Sequence, residues 1–230
     1  MQRQRFVRVD HVVIVSTHAE QACHRLHDAT GLLSVPGGTH DGLGTRNRII
    51  PLGEGYLEVL EVYDAEMAAR NAFGRLGLAG LRAAAAAGRT EHLAAWSGAV
   101  SSAVSVAAQI GESTMALSRA GVGVQLTGAD LSAADPARPF FLERSAGQVS
   151  PESLEVEHRV QPTRIVRMMA ATPDESAAWL EPVPSGSTVL IVETAAEALL
   201  TQVAIGFVDG TTVVLTTTDP LGEREAPARG

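Results

Sequence analysis

Lysine is missing from all 230 residues, and every one of the 18 basic side chains is arginine. That excludes Schiff-base chemistry, a lysine-anchored pyridoxal cofactor and the lysine of a phosphate-binding P-loop. A single cysteine, Cys23, cannot form an intramolecular disulfide and suits a reducing compartment. Within a helical stretch it reads as a small buried hydrophobe. No apolar run approaches the roughly 18 residues of a membrane-spanning helix. The opening MQRQRFVRVDHVVIV passes straight into strand-like alternation with no small-residue cleavage site, so the expected location is the cytoplasm. Positive charge is also in deficit. A net charge of −8 argues against nucleic acid or an anionic membrane as partner and leaves a small molecule as the expected one.

With 45% hydrophobic and 19% charged residues, the chain has the composition of a globular protein able to bury a core. Alternation over 6–16 predicts a strand with His11, Val13 and Val15 on one face and Val12 and Ile14 on the other. A helix follows, expected to start at Thr17 as N-cap with Glu20 completing a capping box, and to close at Gly31. SVPGGTHDGLGT is rich enough in turn formers to be read as a loop, and RNRIIPL and GYLEVLEV as strands joined by Gly53-Glu54-Gly55. Residues 64–90 turn to alanine, leucine and arginine at helical spacing, a connector of one or two helices.

From Glu91 the order returns: EHLAAWSGAV as strand, SSAVSVAAQIG as helix, then STMALSR, GVGVQLTG and PFFLERS as strands. His11 and His92 lie 81 residues apart, and Glu58 and Glu143 lie 85 apart, so both anchor positions recur at nearly one offset. The reading is an α+β protein built from paired βαβββ modules, one over 1–63 and a second over 91–147. A third, degenerate α+β segment over 151–218 lacks a His…Glu pair. It contains an extended stretch through Thr172, a helix over TPDESAAWL, and a hairpin at Asp209-Gly210.

The chemistry rests on strand phase. Glu58 shares its face with Tyr56, Leu60 and Val62, and Glu143 lies within the apolar PFFLE. A carboxylate on a buried face is costly unless compensated, and a divalent cation shared with histidines is one compensation. His11, Glu58, His92 and Glu143 together would form an N2O2 set suited to Zn, Ni, Mn or Fe(II), with positions open to substrate.

At DHVVIV, PGGTHDGLGTRNRIIPLGEGYLEVLEV, EHLAAW and PFFLER the sequence resembles the vicinal oxygen chelate superfamily, specifically its glyoxalase-like domain proteins. The resemblance covers about residues 7–147. It implies a cupped mixed sheet with a metal between paired modules, held by His11, Glu58, His92 and Glu143. It also implies that Glu58 or Glu143 acts as the base that moves a proton on a chelated substrate.

His40, Arg46 and Asn47, in the glycine-rich loop, are expected to contact an oxygen-rich substrate, and Trp96, in phase with His92, to line the site. His24 and His27 share a helix face without a carboxylate at matching spacing, and His158 and Trp179 read as structural. Two function classes stand open. One is a metal-dependent isomerase, lyase or epimerase acting on a small oxygenated molecule. The other is a metal-free module of the same shape that sequesters a small molecule. Such modules pair within or between chains, so a homodimer is a further expectation.

Overall fold

The computed structural model describes residues 8–119, 122–145, 147–173 and 188–225. The helix expected over TPDESAAWL, including Trp179, lies beyond residue 173 and outside the described residues.

β1 (Arg8–Ser16) is buried along eight of its nine residues, which is why its sequence runs as near-continuous Val and Ile. It is followed by α1 (Ala19–Thr30), β2 (Val35–His40), β3 (Thr45–Pro51) and β4 (Tyr56–Val62). After α2 (Ala65–Ala69) and α3 (Ala72–Ala86) the chain continues through β5 (Glu91–Ala99), α4 (Ala103–Ile110), β6 (Met115–Arg119), β7 (Val122–Thr127), α5 (Ala129–Ala134) and β8 (Phe140–Arg144). These eight strands form one mixed sheet in the order β2-β3-β4-β1-β5-β8-β7-β6. β1 pairs parallel with β4 and antiparallel with β5, so the two βαβββ runs meet through their first strands. The outer strands curl toward each other, and the Asp41 N–H donates to the Ser118 carbonyl at 3.3 Å, making the sheet a nearly closed cup.

Two local expectations are corrected. The stretch read as a loop contains β2, which pairs antiparallel with β3 through a register shift at Pro36/Gly38; an edge position and a bulge accommodate the proline and glycines. α1 begins at Ala19, with His18 rather than Thr17 at its N-cap and no cap hydrogen bond from the His18 side chain. The Glu61 carboxylate, reaching from β4, accepts from the Ala19 N–H at 3.0 Å and places negative charge at the helix N-terminus. Gly31 closes the helix as expected, at φ 82°.

The alanine-rich connector does more than connect. α3 packs onto the concave face of the cup with glycines turned to the sheet. A Cβ on Gly80 would come within 2.8 Å of Ala94 Cβ and of Val15 Cγ2, and one on Gly77 within 3.0 Å of Val62 Cγ2. Its Phe73 and Leu76 join Val13, Val15, Leu60, Ala94 and Phe140 in one buried cluster. The stretch of the cup at Val13 and Val15 is thereby filled.

A short turn at Pro151–Ser153 leads into β9 (Pro162–Thr172), β10 (Val189–Thr194), β11 (Leu199–Phe207), β12 (Thr212–Thr216) and β13 (Glu223–Glu225). They form a second sheet in the order β10-β9-β11-β12-β13, with the β11–β12 hairpin turning at Gly210. β9 lies between β10 and β11 rather than beside a last strand, and this is how the segment departs from the first two units. Its Ile165, Met168, Val203 and Leu215 pack with Val12, Ile14, Leu57 and Trp96 against the convex face of the cup.

Candidate functional site

β1 alternates, so Val13 and Val15 lie under α3 while His11 stands two residues nearer the open end of the cup. There a cavity of about 170 Å³ remains. Its polar floor comes from the first unit: His11, His40, Asn47, Tyr56 and Glu58. Leu117, Val124, Leu126, Phe140 and Leu142 of the second unit form an apolar wall, and Val149, Pro151 and Leu154 form the rim with Arg144.

His11 is fixed from several sides. Its Nδ1 lies 2.8 Å from Asp10 Oδ2, and its ring stacks on Tyr56 at 4.5 Å between centroids and meets Phe140 edge-on at 5.4 Å. Adjacent strand residues normally point to opposite faces. Here the β1–β5 register shifts between Val9 and His11, and the resulting bulge at Asp10 brings the carboxylate beside its neighbour's ring. Asp10 also accepts two hydrogen bonds from Arg144, Nη1 to Oδ1 at 2.5 Å and Nη2 to Oδ2 at 2.9 Å, while Arg144 Nη2 donates to the Tyr56 hydroxyl at 3.0 Å.

On the other side, His11 Nε2 lies 3.2 Å from Glu58 Oε2 but off the direction of a hydrogen bond, so this buried nitrogen has no aligned partner among the described residues. Glu58 Oε1 accepts from Asn47 Nδ2 at 2.5 Å. The same Asn47 nitrogen donates to His40 Nε2 at 3.2 Å, leaving His40 Nδ1 to donate to Thr45 Oγ1 at 2.8 Å.

Burial opposes charge on both members of the central pair, and their partners outweigh it. For His11, burial pulls the pKa down, but the Asp10 hydrogen bond and the close Asp10 and Glu58 carboxylates raise it above the ordinary 6.5. For Glu58, burial pushes up, but the adjacent His11 and the Asn47 hydrogen bond bring the carboxyl down to about 2. Asp10 is likewise held ionised against its burial by His11 and Arg144. Two buried carboxylates, Asp10 and Glu58, thus face the half-buried Arg144 guanidinium and the His11 imidazole, whose proton affinity they raise.

The structure brings together His11, Glu58, His40 and Asn47 of the expected set, and separates the rest. Tyr56 of β4 faces His11, whereas Phe140 of β8 faces Ser97. By strand pairing, the second-unit counterpart of His11 is therefore Ser97, and that of Glu58 is Leu142. Because β1 and β5 run antiparallel, His92 lies opposite Val15, under the stretch that α3 covers, roughly 13 Å along the strands from His11. Burial and the charge of Arg89 lower its pKa. Glu143 is one residue out of phase with Leu142 and leaves the sheet on the opposite face, where it accepts from the Ala103 N–H at the start of α4 at 2.8 Å.

Arg46 points away from the cavity and pairs with Glu61 at 2.5 Å. Trp96 packs against the convex face, its indole N–H donating to the Ala137 carbonyl at 2.9 Å, because the shift between Val13 and Ile14 places it opposite Val12. His158 is structural, as expected: its Nδ1 accepts from the Leu33 N–H and its Nε2 meets the Pro51 carbonyl, each at 2.9 Å.

Asp10, Tyr56, Arg144 and Phe73 were missing from the expected site. Arg144 was signalled by its phase with Phe140 and Leu142, and Tyr56 by its phase with Glu58. Asp10 depends on a bulge with no sequence mark, and Phe73 on the docking of α3.

The donor set does not fit the expected metal. Two of the four proposed ligands lie elsewhere, and the donors that converge are engaged with one another. Among the described residues no three His, Cys, Asp or Glu side chains could together hold a metal ion.

Comparison with known families matches residues 9–183 to the glyoxalase-like domain. The chain belongs to the glyoxalase-like domain family. It is thus a member of the vicinal oxygen chelate superfamily, and the cup of two βαβββ runs is that family's architecture. No curated protein matches this glyoxalase-like chain. Among solved structures, a hypothetical protein from Staphylococcus aureus is 14% identical and aligns over 96% of this chain and 99% of its own, with a TM-score of 0.67. The fold, including the second sheet, is therefore shared over nearly the whole length. A methylmalonyl-CoA epimerase variant of Streptomyces coelicolor in complex with 2-nitronate-propionyl-CoA is 16% identical over 63% of this chain and 99% of that one, with a TM-score of 0.44. Methylmalonyl-CoA epimerase from Mycobacterium tuberculosis is 15% identical over 63% and 93%, with a TM-score of 0.43. Among the described residues no helix is long and apolar enough to cross a membrane.

Proposed function

We propose that this glyoxalase-like protein is an enzyme that moves a proton on a small oxygenated substrate, an isomerase, epimerase or lyase, with His11 as acid and Glu58 as base. The observation that carries this reading is the buried Nε2 of His11, which faces the cavity without an aligned partner while the neighbouring Asp10 and Glu58 carboxylates raise the ring's affinity for a proton. A buried donor preorganised toward the cavity is suited to stabilise negative charge developing on a carbonyl oxygen.

The acid and base are coupled. In the resting site Glu58 is a weak base because His11 lies beside it. A substrate oxygen that takes the Nε2 proton draws that positive charge away from Glu58 and raises its proton affinity. Glu58 then removes a proton from the carbon next to the carbonyl, and the electron pair of the broken C–H bond moves to the oxygen held by His11. Asp10 keeps Nδ1 protonated and the ring in register throughout, and Arg144 keeps Asp10 ionised.

The test is carbon-bound hydrogen exchange in D2O, followed by NMR over a panel of small aldehydes, ketones and hydroxyketones, in chelator-treated and metal-supplemented samples. Exchange is expected in chelator and is lost in His11→Gln and Glu58→Gln. Binding without exchange identifies a sequestering protein instead. Exchange that appears only after a divalent metal is added overturns the metal-independent chemistry.

A further inference from the structure

We infer that the cavity selects an uncharged, largely apolar carbonyl compound of about one small ring, and discriminates against anions and cations alike. The inference rests on the proton-transfer reading only for orientation, with the substrate oxygen toward His11.

Charge is the first ground. Among the described residues lining the cavity, the cations are Arg144 and His11, and each already faces a buried carboxylate: Arg144 by two hydrogen bonds to Asp10, His11 by contacts to Asp10 and Glu58. Arg8, which lies 4.0 Å from Asp10, is held by Glu152 through two hydrogen bonds of 2.6 and 2.7 Å. A substrate carboxylate or phosphate would lose its water and meet no uncompensated cation. A cation would meet no uncompensated carboxylate. Desolvation of an ion is costly unless a partner replaces the water, so both charge types are penalised and a neutral ligand is not. The net charge of −8 adds a background field against anions.

Shape is the second ground. The polar atoms are gathered on the floor supplied by the first unit, and the facing wall offers only Leu117, Val124, Leu126, Phe140 and Leu142. One polar end and one apolar body match that division. A cavity of about 170 Å³ is of the size that encloses a single ring such as benzene.

Three single-ring probes of similar size, one neutral and two of opposite charge, provide the experiment: acetophenone, benzoate and benzamidinium. Each is titrated against the full chain by NMR, reading the His11 ring signals, with displacement of acetophenone by the other two. Acetophenone is expected to bind at least about tenfold more tightly than either ion. Equal or tighter binding of benzoate or benzamidinium overturns the inference, and so does failure of all three to bind. In Leu117→Arg, on the outer strand β6, an uncompensated cation on the wall should shift the preference toward benzoate; an unchanged preference counts against charge as the selector. Affinity and exchange separate the two readings. Acetophenone that binds selectively without exchanging its methyl hydrogens removes the proposed chemistry and leaves the selectivity. Exchange on anionic substrates does the reverse.

Discussion

Glu143 and Arg144 are neighbours in β8 and leave the sheet on opposite faces: Arg144 reaches Asp10 at 2.5 Å across the cup, and Glu143 accepts from the Ala103 N–H at the start of α4. Glu143, which the family resemblance implied as ligand or base, is therefore turned out of the site, and its neighbour Arg144 enters it to brace Asp10.

Substitution at the two positions should have unlike effects. Glu143→Gln is expected to leave hydrogen exchange unchanged and to cost no more than about 1 kcal/mol through the weakened helix start. Arg144→Leu removes two of the hydrogen bonds that hold Asp10 ionised and leaves two buried carboxylates facing His11 alone, which should destabilise the protein by about 3–5 kcal/mol. Chemical denaturation alongside the exchange assay checks both. A loss of exchange in Glu143→Gln would contradict the placement of that side chain.

Stability should depend on pH through both members of the central pair. Glu58 is depressed from 4.5 to about 2, so its contribution is fully present above pH 4.5 and is lost as the pH falls toward 2. His11 is raised above 6.5, so its contribution is fully present below that value and declines as the pH rises through the folded-state pKa. In Glu58→Gln the loss between pH 4.5 and 2 should shrink, and the His11 ring signals should titrate at lower pH than in the parent. Unaltered His11 titration would mean that the two groups are not coupled.

Asp10→Asn tests orientation apart from charge at the reacting end. The amide can no longer balance an imidazolium, so His11 is left at most a neutral and weaker donor at Nε2. Exchange is expected to fall by about 10²–10⁴-fold, the size of an acid–base contribution, while acetophenone affinity changes far less. A parallel loss of binding and rate would indicate collapse of the cavity rather than loss of the acid.

The docking of α3 should be sensitive to single methyl groups. In Gly80→Ala the new Cβ meets Ala94 Cβ and Val15 Cγ2 at 2.8 Å, and overpacking of about 1–3 kcal/mol is offset in part by about 1 kcal/mol of helix propensity. In Gly74→Ala the obstacle is the Ala68 backbone carbonyl at 2.3 Å, which yields less readily than side chains. Thermal denaturation should rank Gly74→Ala below Gly80→Ala. The reverse order would mean that α2 moves more easily than the sheet.

Taken alone, the sequence determined the order of elements, because that order follows from local signals. Alternating Val and Ile mark β1, glycine closes α1 and α4, and Asp209-Gly210 turns the last hairpin. It also determined that His11 and Glu58 share a site, since each faces inward by strand phase within one unit. Which residues of the second unit join them was decided by pairing between units. An antiparallel meeting of β1 and β5 carries His92 away from His11 by several residues, and a one-residue difference in phase turns Glu143 outward and Arg144 inward. The bulge that sets Asp10 beside His11, and the glycine face that lets α3 dock onto the sheet, depend on contacts between segments far apart in the chain. Spacing along the chain does not record such contacts, which is why a repeat offset of 81 and 85 residues suggested a fourfold ligand set that the tertiary structure does not assemble.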